Sequence, residues 1–159
     1  MKFFAVFFCL LLAGCFLPDI RINRKVSKSE VIGTWLLDPK CSAIAETNAI
    51  DRYIPDSSKP HRIILNPDGT CSFQSVIGYD PGKYQYQILT GTWKLETSKD
   101  NPSGSYLALE LGKAGMRTTH TDYDFREENG NLILWCHWGD PGSWQFLEYR
   151  LSSPPAQSP

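Results

Sequence analysis

What most restricts the fold of this chain is how often it is told to turn. From about residue 30 onward, clusters of Pro, Gly, Asn and Asp recur at short intervals, with β-branched and aromatic residues alternating between them. Alternation of this kind gives a pleated strand one apolar face, whereas the three-to-four spacing of an amphipathic helix is nearly absent. In "NPDGT" (66–70), Pro67 supplies the fixed negative φ that a turn wants and Gly69 the positive φ that follows. In "ENGN" (128–131), Asn129 and Gly130 take the two central places of a type I′ hairpin turn.

This punctuation predicts strands at 30–37, 61–66, 70–77, 83–96, 105–111, 119–127, 132–138 and 144–151. The expected fold is therefore all-β, a single antiparallel eight-stranded barrel over residues 30–151. An antiparallel meander of this number hides its edges by closing on itself, and its interior either fills with side chains or holds one small ligand. The stretch from Asp38 to Pro60 is too long for a plain hairpin loop. It reads as a lid or a disordered segment, in which "SAIAETNAIDRY" could form a short helix.

The two ends read differently. "FFAVFFCLLLAGCF" (3–16) is too short to span a bilayer, is preceded by Lys2 and is followed at once by Pro18 and Asp19, which is the layout of an export signal. Residues 16–29 carry Arg21, Arg24, Lys25 and Lys28 against one acid and show no apolar period. They read as a tether, either solvated or drawn to anionic headgroups. Residues 152–159, with three prolines and no large apolar side chain, read as a disordered tail.

Leu12, Ala13, Gly14 and Cys15 resemble the lipobox of bacterial lipoproteins. The resemblance implies a signal peptide over 1–14, acylation (palmitate among the possible chains) of Cys15, and a tether over 15–29. It also implies a lipid-anchored protein of the cell envelope. Because Phe16 and not Asp follows the Cys, sorting would be to the periplasmic face of the outer membrane in a host with two membranes. In an exported compartment Cys41, Cys71 and Cys136 leave room for one disulfide, with Cys41–Cys71 the preferred pair.

Gly33, Thr34 and Trp35 in "VIGTWLLD" resemble the first-strand G-x-W of lipocalins. Thr121, Asp122 and Tyr123 resemble the second lipocalin signature, and Arg150 stands where a basic residue packs over the first-strand Trp. The resemblance implies a lipocalin-like barrel that carries a small hydrophobic ligand, in a cavity of at least about 300 Å³ open at the end away from Arg150. "GTW" also recurs at Gly91–Trp93.

The remaining residues say less. A two-residue loop at 129–130 pairs Phe125 with Leu134, Tyr123 with Cys136 and Thr121 with Trp138 on one face. On the other it pairs Asp124 with Trp135 and Asp122 with His137, the latter within reach of an ion pair, and sets His120 near Gly139. No metal site is expected, because no His or Cys pair has close ligand spacing. No cofactor and no catalytic activity are expected, because neither a nucleophile elbow, nor a zinc-protease helix, nor a phosphate-binding loop occurs. A formal net charge of −1 gives no basic excess for nucleic acid. The strand aromatics fit a filled core and a cavity lining equally well. In the second case Trp93 with Leu89, and Trp144 with Phe146, are the expected lining. Two functions follow: a monomeric carrier of a hydrophobic ligand, or a solid-cored envelope adaptor or inhibitor that meets a protein through its rim and the 38–60 loop.

Overall fold

The computed structural model describes residues 22–40, 60–77, 85–97, 99, 102–112, 118–137 and 146–152. After a single helical turn, α1 (Lys28–Val31), come β1 (Gly33–Leu37), β2 (Arg62–Leu65), β3 (Thr70–Ile77), β4 (Gln85–Glu96), β5 (Tyr106–Gly112), β6 (Thr119–Glu128), β7 (Asn131–His137) and β8 (Phe146–Leu151). Each strand pairs antiparallel with the next and β8 returns to β1, so the sheet closes into an eight-stranded barrel. Every strand lies on one read from the turn chemistry, with ends moved by at most three residues.

Local backbone explains the order. Asn129 (φ 52) and Gly130 (φ 75) both sit in the left-handed region that a type I′ turn requires. The register that turn dictates is the one formed: Phe125 opposes Leu134 and Asp124 opposes Trp135. At Gly91 the β4 and β5 backbones approach so closely that an added Cβ would lie 1.8 Å from the Glu110 carbonyl oxygen. The second "GTW" is thus a site of close strand approach in its own right.

Alternation sends one face of every strand inward. Trp35, Ile63, Leu107, Leu109, Phe125, Leu134 and Tyr149 are all but inaccessible, and Tyr149 meets the Tyr123 ring edge-on at 5.8 Å. Each such side chain contributes about 1.5–3 kcal/mol by leaving water, which makes this interior the main source of stability.

The barrel has two unlike ends. At one lie the 66–70 and 128–131 turns and the β4–β5 connection, and here residues 22–32 run across the opening. The Ile22 N–H donates to the Phe125 carbonyl at 3.0 Å, and Lys25 Nζ donates to Thr97 Oγ1 and to the carbonyls of Pro102 and Gly104. Val26 and Val31 are buried as a stopper. The Ser27 N–H donates to the Glu30 carboxylate at 2.8 Å, half of a capping box that starts α1. Residues 22–29 were expected to be tether. The structure binds them to the barrel instead, because Ile22, Val26 and Val31 complete a core that the strands alone leave open.

Candidate functional site

The opposite end is where β1, β3, β5 and β7 finish, at Leu37, Ile77, Gly112 and His137. Leu37, Phe73, Leu89, Cys136 and Leu147 point inward here and pack on the core, each remaining partly exposed, as do Leu95, Leu132 and Leu151 toward the other end. They form an apolar wall. Thr121, also inward by alternation with Tyr123, is likewise half-buried.

Above that wall, β2, β3 and β4 carry a polar row. Ser75 and Gln87 are register partners, and the Leu37 N–H donates to the His61 carbonyl, continuing the β1–β2 ladder so that His61 falls on the same face. His61 Nδ1 and Ser75 Oγ are hydrogen-bonded at 2.8 Å, and the imidazole stands edge-on to the Tyr86 ring at 6.3 Å. Its Nε2 is shielded and has no hydrogen-bond partner. Burial holds the His61 pKa below the ordinary imidazole value, so the ring is neutral near pH 7.

The closed end holds the expected lining residue Trp93. Its indole is buried, Nε1 donates to the Asn66 carbonyl at 2.9 Å, and Lys28 Nζ lies 5.5 Å from the ring centroid. Trp93 therefore belongs to the packed closed end, while its strand neighbour Leu89 lies inward and partly exposed toward the other end. Phe146 is a second correction. It lies on the outer face, its ring 5.1 Å from those of Trp135 and His137, because β8 sends Leu147, Tyr149 and Leu151 inward and Phe146, Glu148 and Arg150 outward. Trp144 lies outside the described residues.

The lipocalin-like positions divide. Trp35 is wholly buried near the closed end, Nε1 donating to the Val31 carbonyl at 2.8 Å, and Gly33 has φ 141. Arg150 does not cover it. Opposite parity places that side chain outside, where Nε donates to Asp38 at 2.6 Å and an NH2 group meets Glu128 at 2.8 Å. A cation does stand over an indole at the closed end, but the pair is Lys28 with Trp93. Thr121, Asp122 and Tyr123 lie mid-strand in β6, Tyr123 sealed in the core and Asp122 on the surface.

Asp122 meets His120 at 2.9 Å, not His137, whose ring joins the outer aromatic group. Among the described residues no group of three or more His, Cys, Asp or Glu side chains is placed to hold a metal ion. Cys71 is a free, buried thiol opposite Leu65 and Gly91, where burial pushes its pKa up to about 11. The expected bridge to Cys41 is not formed, since Cys71 faces the packed interior; Cys41 itself, with Cys15 and the leader, lies outside the described residues. Sequence reasoning missed the His61–Ser75 pair, although the odd-numbered alternation of β2 and β3 could have shown that both share the face of Ile63 and Phe73.

A concavity of about 430 Å³ lies on the outside of the closed end between Arg24, Glu30, Asn131, Leu132 and Arg150. Both arginines there are already held by carboxylates, Arg24 by Glu30 and Glu127 and Arg150 by Asp38 and Glu128. No protein-family model and no curated protein matches the chain.

Proposed function

We propose that the protein is a lipid-anchored lipoprotein of the cell envelope, attached through an acylated Cys15, whose barrel takes a small hydrophobic ligand at its open end. The observation that carries this reading is the partial exposure of Leu37, Phe73, Leu89 and Leu147, four large side chains that alternation points inward. Apolar surface kept at the mouth of a closed barrel is stabilised by whatever covers it, at about 25 cal/mol per Å². No catalytic role is included: among the described residues no carboxylate is hydrogen-bonded to the His61 ring that pairs with Ser75. In a host with two membranes, Phe16 after the lipidated Cys supports placement on the periplasmic face of the outer membrane.

Native mass spectrometry of the protein purified from its own host tests the proposal. A retained small molecule, lost in Leu89→Asp, supports it; a bare protein that also fails to take up N-phenyl-1-naphthylamine overturns it. A second reading, an adaptor or inhibitor that meets a protein partner, is favoured by Ile88, which stands 54% exposed on the outer face of β4. It predicts that Ile88→Ser abolishes capture of a partner from envelope extract and leaves probe uptake unchanged.

A further inference from the structure

The stopper does not seal the closed end evenly. On the β7–β8 side, Leu132 and Leu151 pack on the core and yet stay half-buried. They line the concavity of about 430 Å³ whose other walls are Arg24 and Glu30 of the closing segment, the β6–β7 turn at Gly130 and Asn131, and Arg150. Its volume falls in the range of small-molecule sites.

The two guanidinium groups decide what such a hollow can hold. Arg24 directs Nε and Nη2 at Glu127, both at 3.3 Å, and Nη1 at Glu30, at 2.8 Å, and at the Lys25 carbonyl. Arg150 directs Nε at Asp38 at 2.6 Å and Nη2 at Glu128 at 2.8 Å. A guanidinium is planar and donates hydrogen bonds only in its plane. With these edges spent on carboxylates, each side chain still keeps more than 40% of its surface exposed, 43% for Arg24 and 41% for Arg150, and what it offers a ligand is its flat face. Nor is there a positive excess to draw an anion, because Glu30, Glu127, Asp38 and Glu128 together outnumber the two arginines. A flat apolar ring suits both features of the hollow. Its face stacks on the weakly hydrated guanidinium, and its edges cover the two leucines.

We propose that this hollow binds uncharged planar aromatic compounds of one or two rings, stacked on Arg24 or Arg150 over a floor of Leu132 and Leu151. The site is separate from the ligand surface at the other end of the barrel and does not rest on that reading.

The test is an NMR titration of the full chain carrying Cys15→Ser, at pH 7, with phenol and with cyclohexanol, which share size and hydroxyl and differ in the flat ring. Phenol is expected to bind at least about fivefold more tightly and to move the Leu132 and Leu151 methyl signals and an arginine Nε–Hε signal upfield, as a ring current over the guanidinium does. Arg24→Lys/Arg150→Lys keeps both charges without a planar face, and is expected to bring the two affinities within about twofold. Equal affinities in the parent, or a phenol preference that survives in the double variant, overturns the inference. Should that variant not fold, the parent decides: saturable upfield shifts at Arg24 or Arg150 support stacking, and shifts at the leucines alone overturn it. Shifts confined to Leu89 and Leu147 overturn it as well and leave the carrier reading standing.

Discussion

Gly91 and Gly130 must both be glycine, and for different physical reasons. At Gly91 the obstacle is steric, because a Cβ would sit 1.8 Å from the Glu110 oxygen and 2.8 Å from its carbonyl carbon, both backbone atoms that cannot swing away. At Gly130 nothing lies within 4 Å of an added Cβ, but φ is 75 and an L side chain is strained there. Gly91→Ala is therefore expected to cost at least about 3 kcal/mol, the upper range for overpacking, and Gly130→Ala about 1 kcal/mol. Urea midpoints measure both, and equal losses would contradict the steric account of Gly91. Cys71 gives a pH prediction. Its folded pKa of about 11 lies above the ordinary 9.0, so between those values the unfolded chain has lost a proton that the folded chain keeps. Stability is thus fully present below pH 9 and falls as pH rises toward 11, by roughly 2 kcal/mol relative to Cys71→Val, which lacks the titrating group. Parallel pH profiles for the two proteins would show that the thiol is not buried as described.

Among the elements, the β6–β7 hairpin was the most legible and the closing segment the least. A two-residue Asn-Gly loop admits one register, so the pairing of Phe125 with Leu134 follows from counting. Residues 22–32 hide their role because Ile22, Val26 and Val31 are dispersed among Arg24, Lys25 and Lys28, and no helical or strand period marks them. Alternation tells which face a residue is on and not how far along the barrel axis it lies, so Trp93, expected as lining beside Leu89, sits instead in the sealed end. Phe146 was misread even though its neighbours Glu148 and Arg150, two and four residues on, mark an outward face. The closing segment carries its own prediction. Val31 is wholly buried and its carbonyl accepts the Trp35 indole N–H, so Val31→Ala leaves a cavity under that ring. The expected loss is about 2 kcal/mol, with a change in near-ultraviolet circular dichroism from the indole. A stability change below about 0.5 kcal/mol, typical of surface sites, would mean that the stopper is ornamental.

At the scale of the whole molecule, the closed and open ends fix how an anchored barrel would stand on a bilayer. The chain joins the barrel at Ile22, at the closed end, and the stretch back to Cys15 reaches at most roughly 25 Å when fully extended. The eight residues of β3 span about the same distance along the wall. If Cys15 is acylated as proposed, the closed end stays within that reach of the headgroups, and the orientation in which the other end faces the aqueous side is the one expected. Among the described residues the basic side chains at this end are engaged: Arg24 is held by Glu30 and Glu127, Lys25 donates to Thr97 and two carbonyls, and Lys28 lies over Trp93. Binding to vesicles is accordingly expected to depend on the acyl chains and to change little between 50 mM and 500 mM salt, a range in which screening removes interactions between exposed charges. Nitroxide labels on Asn129→Cys and Thr119→Cys, at the closed and open ends, read the orientation by depth-dependent relaxation in vesicles: Asn129 is expected nearer the surface by about 20 Å. If instead the label at 119 is the nearer one, the open end faces the bilayer, and the orientation argued from the closed end is wrong.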